Sequence, residues 1–512
     1  MSTTFTSPEV RATALIDALV AHGLEADRPE RRPRTVLDTF DGRLHGAGLR
    51  LEVEEGAAHE LALELSAGPA TPPARMVVAA VPVWPSELPV GPLRSRLAGV
   101  TQERALLPML VVTSTVQHLR RVDRRGKATV QIDVHEQIAI DGVDPERVPA
   151  WVAEVRPVIG HEADTDLVLT RLAMLGLESV EGDVVDALAA EAGISLAGRS
   201  SSPTVSMAAG DDALGAYRRV LLNLALTVVE NLPGTIADTD PEFLHELRVA
   251  VRRTRAVLSQ AKGVIPDEVR DRHREAFAAI GQVTGTPRDL DVYLLGWDDQ
   301  VATLGLADAA ALDGVRTELE ARRTAAKAEL ARALRSRVTR AELDRWLAWL
   351  TDPEVVAGVP QPVGPVVANR IALAQRKVLR DGRAITPASE PERLHDLRKD
   401  AKKLRYLLEC FGGLLDAKAR KGFVGQLKEL QENLGDHQDA EVQIAQLREL
   451  AGDLHQRGAV DTDGLLAIGR LSDHLDRRRR AEREAFAERF AAYDTKPNRR
   501  ALDDLLGPVS EP

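Results

Sequence analysis

Cysteine is nearly absent: Cys410 is the only one in 512 residues. That excludes an intrachain disulfide and suits a reducing cytoplasm. Aromatic residues make up 3% of the chain, so a surface that stacks nucleic-acid bases has little to be built from. No segment near the start resembles a signal-peptide core. No apolar run approaches the roughly 18–20 residues of a membrane span. The longest, around Met76–Trp84 and Leu106–Val112, are short and contain or adjoin proline. A cytoplasmic protein without a membrane partner is therefore expected. A net positive charge is lacking too. The formal charge is −11, which excludes a globally basic protein that coats nucleic acid.

What is present is unevenly spread. Residues 1–200 hold 20 Lys and Arg against 29 Asp and Glu, while the remainder holds 47 against 49. A basic site in the second part must therefore come from sorting charges onto faces. The first part alternates apolar and polar residues at Leu49–Glu54, Glu60–Leu65 and Thr129–Val134, each predicted as a strand with one apolar face. Prolines punctuate 69–108, predicted as loop and edge. Helices are predicted at 164–177 and 182–192, giving an α+β unit with a largely antiparallel sheet. Arg199–Pro203 has the composition of a linker.

From about residue 208 the period is 3.6. Helices are expected at roughly 211–231, 241–261, 267–285, 287–303, 307–334 and 338–350. After a Pro/Gly/Val-rich break at 353–365 they resume at 365–382, 391–411, 416–434, 437–457 and 461–492. Asp240 before Pro241 and Glu390 before Pro391 are placed as helix caps.

One helical phrase occurs twice, 150 residues apart. Leu244–Leu258 and Leu394–Leu408 share His245/His395, Arg248/Arg398 and Arg255/Arg405, with Arg252/Lys402 and Arg253/Lys403 conservative. The offset persists at Gly285/Gly435, Asp289/Asp439 and Val292/Val442, so two copies of one multi-helix unit are expected. At about 100° per residue, Leu244, Leu247, Val251, Thr254 and Leu258 form one stripe, as do Leu394, Leu397, Ala401, Leu404 and Leu408. These are the core faces. His245, Arg248, Arg252 and Arg255 form an adjacent stripe, matched by His395, Arg398, Lys402 and Arg405, with Lys399 and Lys403 at its edge.

A duplicated helix must repeat its core face, but packing gives no reason to repeat a histidine and a row of cations. Like charges at this spacing repel, and something must offset them: neighbouring carboxylates, or a polyanion. The guanidinium fork pairs two-pronged with phosphate oxygens, and few aromatics lie on the stripe, so a phosphate chain without bases fits best. Nucleic acid is not the expected partner. A metal role for the histidines is not expected either, because cations crowd the stripe and Glu246 and Asp396 are placed on other faces. A neutral imidazole donating to phosphate, or capping the cation row, suits the position. Arg477–Arg480 is read as a solvated helix face.

The pattern Leu-His-x-Leu-Arg-x-x-x-Arg/Lys-Arg/Lys-x-Arg, followed by Gly-x-x-x-Asp-x-x-Val, resembles the CHAD domain over about 208–500. The resemblance implies two four-helix bundles related by a pseudo-twofold axis, near 208–350 and 362–495. It also implies a central basic cavity that binds inorganic polyphosphate. The implied ligands are His245, Arg248, Arg252, Arg255, His395, Arg398, Lys402 and Arg405. Arg253, Lys399 and Lys403 would be rim contacts, and Arg288 and Lys428 further candidates. The second copy has Gln438 where Arg288 stands.

Residues Thr35–Leu51 resemble the strand–turn–strand of the CYTH family, whose members are β-barrel tunnels that hydrolyse triphosphates with a divalent metal. Arg120, Arg121, Asp133 and Glu136 fit later parts of that pattern. The family's opening Glu-x-Glu-x-Lys is replaced by Thr3–Ser7, its later strand lysine is missing around Leu61–Glu64, and Glu154–Arg156 keeps one acid of a pair. The expected organisation is a degenerate CYTH-like barrel over 1–196, a linker over 197–207, an all-α CHAD domain over 208–500 and a tail over 501–512. The expected function is polyphosphate binding in the cytoplasm, in polyphosphate granules among other places. No catalytic residue, metal or cofactor is assigned, and a divalent metal belongs only to an active CYTH-like unit. The alternatives are a metal-dependent triphosphatase and a granule- or RNA-associated interaction protein.

Overall fold

The computed structural model describes residues 3–55, 61–67, 73–180, 182–196, 198, 205–304, 306–356 and 359–510. The chain divides into two compact units, Met1–Arg199 and Ser200–Pro512. The linker expected at 199–203 lies outside the described residues.

The first unit is an antiparallel sheet of ten strands. They are β1 (Thr3–Phe5), β2 (Glu25–Ala26), β3 (Glu30–Asp38), β4 (Arg50–Glu55), β5 (Leu61–Ser66), β6 (Ala74–Val78), β7 (Leu107–Val122), β8 (Ala128–Ile140), β9 (Trp151–Pro157) and β10 (Ser179–Val180). Their order is β10-β1-β9-β8-β7-β3-β4-β5-β6, with β2 on β7. The alternation seen in the sequence sorts the two faces. Leu51, Val53, Leu63 and Leu65 are buried together with Leu37. Ile132 and Val134 meet the helices Ala12–Ala21 and Glu162–Met174 through Leu15, Leu19, Val168 and Leu172. The proline-rich stretch holds β6 and a helix, Pro92–Thr101, with proline at its first position. Helix is favoured there because proline's fixed φ suits the first turn, and the expectation of loop and edge is corrected to that extent.

The second unit is helical. It contains α1 (Ala213–Ala237), α2 (Pro241–Gln260), α3 (Asp267–Val283), α4 (Gly285–Leu295), α5 (Asp313–Arg335), α6 (Arg337–Thr351), α7 (Val363–Arg383), α8 (Pro391–Cys410), α9 (Ala417–Gln456), α10 (Thr462–Tyr493) and α11 (Lys496–Ser510), with short helices between α4 and α5. One buried cluster takes Leu244, Leu247 and Val251 from α2 together with Leu394, Leu397 and Leu404 from α8, so both halves share a core. A second cluster joins α4, α5, α9 and α10 through Tyr293, Leu319, Leu447 and Leu471.

The structure corrects four local expectations. The sequence break at 434–437 is absent: α9 runs unbroken for 40 residues, whereas the first half breaks at Thr284. Pro287 lacks an amide hydrogen to continue the first ladder, and the matching position, His437, has one. Asp240 caps α2 by accepting from the amides of Glu242 and Phe243, but Glu390 makes no side-chain cap. The expected tail belongs instead to α11, which buries Leu502, Leu505, Leu506 and Val509. Finally, α1 is long and apolar enough to cross a membrane by length and composition. Here Tyr217, Leu221, Leu224 and Val228 on it are buried in the shared core.

Candidate functional site

The repeated helices fold as their periodicity dictates. All ten predicted core-stripe residues, Leu244 to Leu258 on α2 and Leu394 to Leu408 on α8, are buried. That burial fixes the rotation of each helix and turns the adjacent polar stripe toward shared space. Arg248, Arg252 and Arg255 from α2, with His395, Arg398, Lys399, Lys402 and Lys403 from α8, line one cavity of about 870 Å³. Helix α3 contributes Asp271, Arg274, Glu275 and Ala278, and Ala256, Ser259 and Tyr406 complete the lining.

Charge on this lining is poorly compensated. Among the described residues, Arg248, Arg252, Arg255, Lys402 and Lys403 make no ion pair. The other cations are engaged: Arg274 with Asp271 at 3.4 Å, Lys399 with Asp396 at 3.1 Å, and Arg398 with Asp439 at 3.0 Å. The Nε atoms of Arg252 and Arg398 are buried without a hydrogen-bond partner. Burial, then the charges of Arg398 and Arg252, press the Lys402 ammonium down to about 7. Burial likewise lowers Lys403 and Arg248.

The repeated glycines lie beside the repeated arginines. A Cβ at Gly285 would stand 3.5 Å from Arg248 Nη1, and one at Gly435 would stand 3.7 Å from Arg398 Nη2, both ordinary contacts. Each repeated guanidinium thus lies against the helix that follows, with room that does not depend on the glycine. Arg248 Nη1 also donates to Gly281 O at 3.3 Å and to Thr284 Oγ1 at 3.2 Å.

Five expected ligands do not line the cavity: His245, Arg253, Arg288, Arg405 and Lys428. Arg253 is buried, not at a rim. It pairs with Glu409 at 2.7 Å and lies over the Tyr406 ring, tying α2 to α8. Arg405 stands 3.5 Å from Glu409 and also lies over the Tyr406 ring. Arg288 donates to Pro241 O at 3.3 Å. Lys428 is exposed on α9.

The two histidines are placed differently. His395 Nδ1 lies 2.7 Å from Gln438 Oε1, and with the amide so oriented Nδ1 carries the proton. A neutral ring then offers only an acceptor at Nε2, so donation from there to an anion requires the imidazolium. That replaces the expectation of a neutral donor. It also gives Gln438 a role: it orients a cavity histidine. In the first half, Glu242, His245 and Glu246 bring one ligand atom each within 4.8 Å of one another, so Glu246 does not point away from His245. The Arg288 guanidinium, 3.9 Å from Glu242, opposes a cation there.

Sequence reasoning missed Arg274 and Tyr406. Position 424, the counterpart of Arg274, is Val424, so a search for repeated residues is blind to it. Tyr406 corresponds to Ala256, and both line the cavity, but as an apolar-faced residue on the polar side it carries no charge signal.

The sheet unit gathers charges as well, and many of them are matched. Arg34 pairs with Glu52 at 3.3 Å and Glu54 at 3.5 Å, and Arg50 with Asp183 and Asp186. His118 meets Asp133 at 2.6 Å, Arg156 meets Asp133 and Glu154, Arg120 meets Glu25 and Asp27, and Arg121 meets Asp164. Arg477–Arg480 is matched too, each arginine pairing with Asp473, Asp436 or Asp476.

The CHAD domain family matches residues 220–448 of this chain. No curated protein matches it. Among solved structures, the CHAD domain from the plant Ricinus communis is 23% identical, covering 59% of this chain and 96% of its own, with a TM-score of 0.46. PptA from Streptomyces chartreusis is 17% identical, covering 55% of this chain and 100% of its own, with a TM-score of 0.45. A protein from Pyrococcus horikoshii OT3 is 11% identical, covering 37% of this chain and 96% of its own, with a TM-score of 0.24.

Proposed function

We propose that the CHAD domain at residues 220–448 makes this chain a binding protein for inorganic polyphosphate, with the ligand lying along the α2–α8 cavity. One observation carries the proposal. Five cations without ion pairs, Arg248, Arg252, Arg255, Lys402 and Lys403, face one cavity in a chain whose net charge is −11. Keeping that much like charge without ion pairs and partly desolvated is costly, and burial together with the charges of Arg398 and Arg252 depresses the Lys402 pKa. A phosphate chain relieves it along the whole stripe, because each unit brings an anionic oxygen to the next cation.

The lining also limits the ligand. It contains one aromatic side chain, Tyr406, so bases gain little stacking there. Asp271 and Glu275 stand on the α3 side and repel anions, which leaves the α2 and α8 faces as the track. Polyphosphate of defined length, titrated into the full chain, should bind and should compete with single-stranded RNA in its own favour. Equal affinity for RNA, or retained polyphosphate affinity in Arg252→Glu, would overturn the proposal.

A further inference from the structure

We propose that Asp439, with its repeat partner Asp289, is a resident counter-ion that competes with the incoming anion for the cavity's arginines. The proposal rests on the polyphosphate reading of the cavity. The two halves hold their equivalent arginines by different means. In the first half, Arg248 donates to neutral acceptors, Gly281 O and Thr284 Oγ1. The matching positions in the second half are Gln431 and Leu434, and Leu434 has no hydroxyl to offer. There Arg398 Nη2 donates to Asp439 Oδ1 at 3.0 Å, and its buried Nε has no partner.

Asp439 is poorly placed to serve as a structural anchor. Its side chain is 58% exposed while that of Arg398 is 18% exposed, and an exposed carboxylate contributes little to holding a fold. It is well placed to screen. Besides Arg398 it acts on Lys402, the most depressed ammonium in the cavity. Asp289, the repeat position, makes no ion pair among the described residues; burial raises its pKa, the charges of Arg248, Arg288 and Arg252 oppose that, and Asp439 adds to it. The repeated acids therefore act on the cavity's cations from beside its lining, of which neither is part. A polyanion entering the cavity must displace or tolerate them.

Asp439→Asn keeps the side-chain shape and removes the charge. Long-chain polyphosphate and tripolyphosphate, titrated into full-length wild type and variant across a salt series, read the effect. The expected result is tighter binding by about five-fold at low salt, the scale of one like charge removed a few ångströms from a phosphate in a partly aqueous setting. The logarithmic salt dependence should steepen by about one, because Arg398 then draws its counter-ion from solution. Asp289→Asn should shift both quantities the same way, and Asp439→Glu should restore wild-type behaviour. Weaker binding in Asp439→Asn means that the acid positions Arg398, and unchanged binding and slope mean that it does not compete. Either result overturns the counter-ion while leaving the polyphosphate reading intact. No binding by wild type or variants at any salt overturns both.

Discussion

The sheet unit and the α2–α8 cavity both hold arginines and differ in how many of them are paired. In the sheet, Arg34, Arg50, Arg120, Arg121 and Arg156 each meet one or two carboxylates. In the cavity, Arg248, Arg252 and Arg255 meet none among the described residues. A matched guanidinium is part of the fold's own electrostatics and has little left for a ligand. An unmatched one is a standing debt that folding tolerates only where a ligand, or solvent, settles it. Arginine content therefore says little about function; its pairing says more.

The largest expected effect breaks the cavity side of this contrast. Reversing Arg252 and Lys402 to Glu together should lower polyphosphate affinity about 1,000-fold at low salt, because each change both removes a phosphate partner and adds a repelling charge. The same double change should not lower the thermal midpoint, since among the described residues neither side chain makes an ion pair. A large loss of stability with the binding loss would contradict the division of roles.

Pairing itself is tested at Asp291, on α4 of the helical unit. It is buried and pairs with Arg323 at 2.7 Å and with Lys327 at 2.8 Å, with Lys327 itself buried. Asp291→Ala leaves those two cations with Asp238 alone and should cost about 2 kcal/mol in denaturant unfolding. Lys402→Met, removing an unmatched cation of the cavity, should raise stability. If both changes destabilise alike, pairing is not what separates matched cations from unmatched ones.

A smaller effect is pH dependence. Lys402 without a bound anion carries its charge below about 7 and loses it as pH rises through that value. Its folded pKa lies under the unfolded one, so this group's contribution to folding stability declines as pH falls from the unfolded lysine range toward 7. Binding runs the other way, because a polyanion favours the ammonium. Affinity for long chains should fall between pH 6 and about 8 and protons should be taken up on binding, measurable as a buffer-dependent heat. Lys402→Arg should flatten the profile.

The smallest expected effect lies at Arg478, which pairs on the surface with Asp436 at 2.9 Å. Arg478→Ala should change stability by less than about 0.5 kcal/mol and polyphosphate affinity hardly at all. For the sheet unit, no phosphate release from tripolyphosphate is expected with magnesium or manganese. Release that Glu52→Gln abolishes would show that its matched charges do chemistry after all.

Much of this was legible before the structure. The 3.6 period placed Leu244, Leu247 and Val251 inward, and the repeated His395, Arg398 and Lys402 fell on one side because a helix keeps a fixed angle between residues. What periodicity cannot give is the partner across the gap. Arg253 and Lys403 hold equivalent positions in the two repeated helices, yet one is buried on Glu409 and the other lines the cavity. That outcome depends on which carboxylate another helix brings near. Arg274 escaped because only one half carries it. The unbroken α9 escaped because a single proline, Pro287, makes the first half differ from an otherwise parallel second half.

The most direct test is the salt dependence of polyphosphate binding to the full chain, set beside Arg252→Glu. Five unmatched cations predict a steep linear fall of log affinity with log salt, with a slope magnitude of about 4, by analogy with counter-ion release from single strands. The slope should be shallower by about one or more in the variant. An affinity indifferent to salt, or a slope that Arg252→Glu leaves unchanged, would contradict the claim that unmatched charge in this cavity is what recognises the ligand.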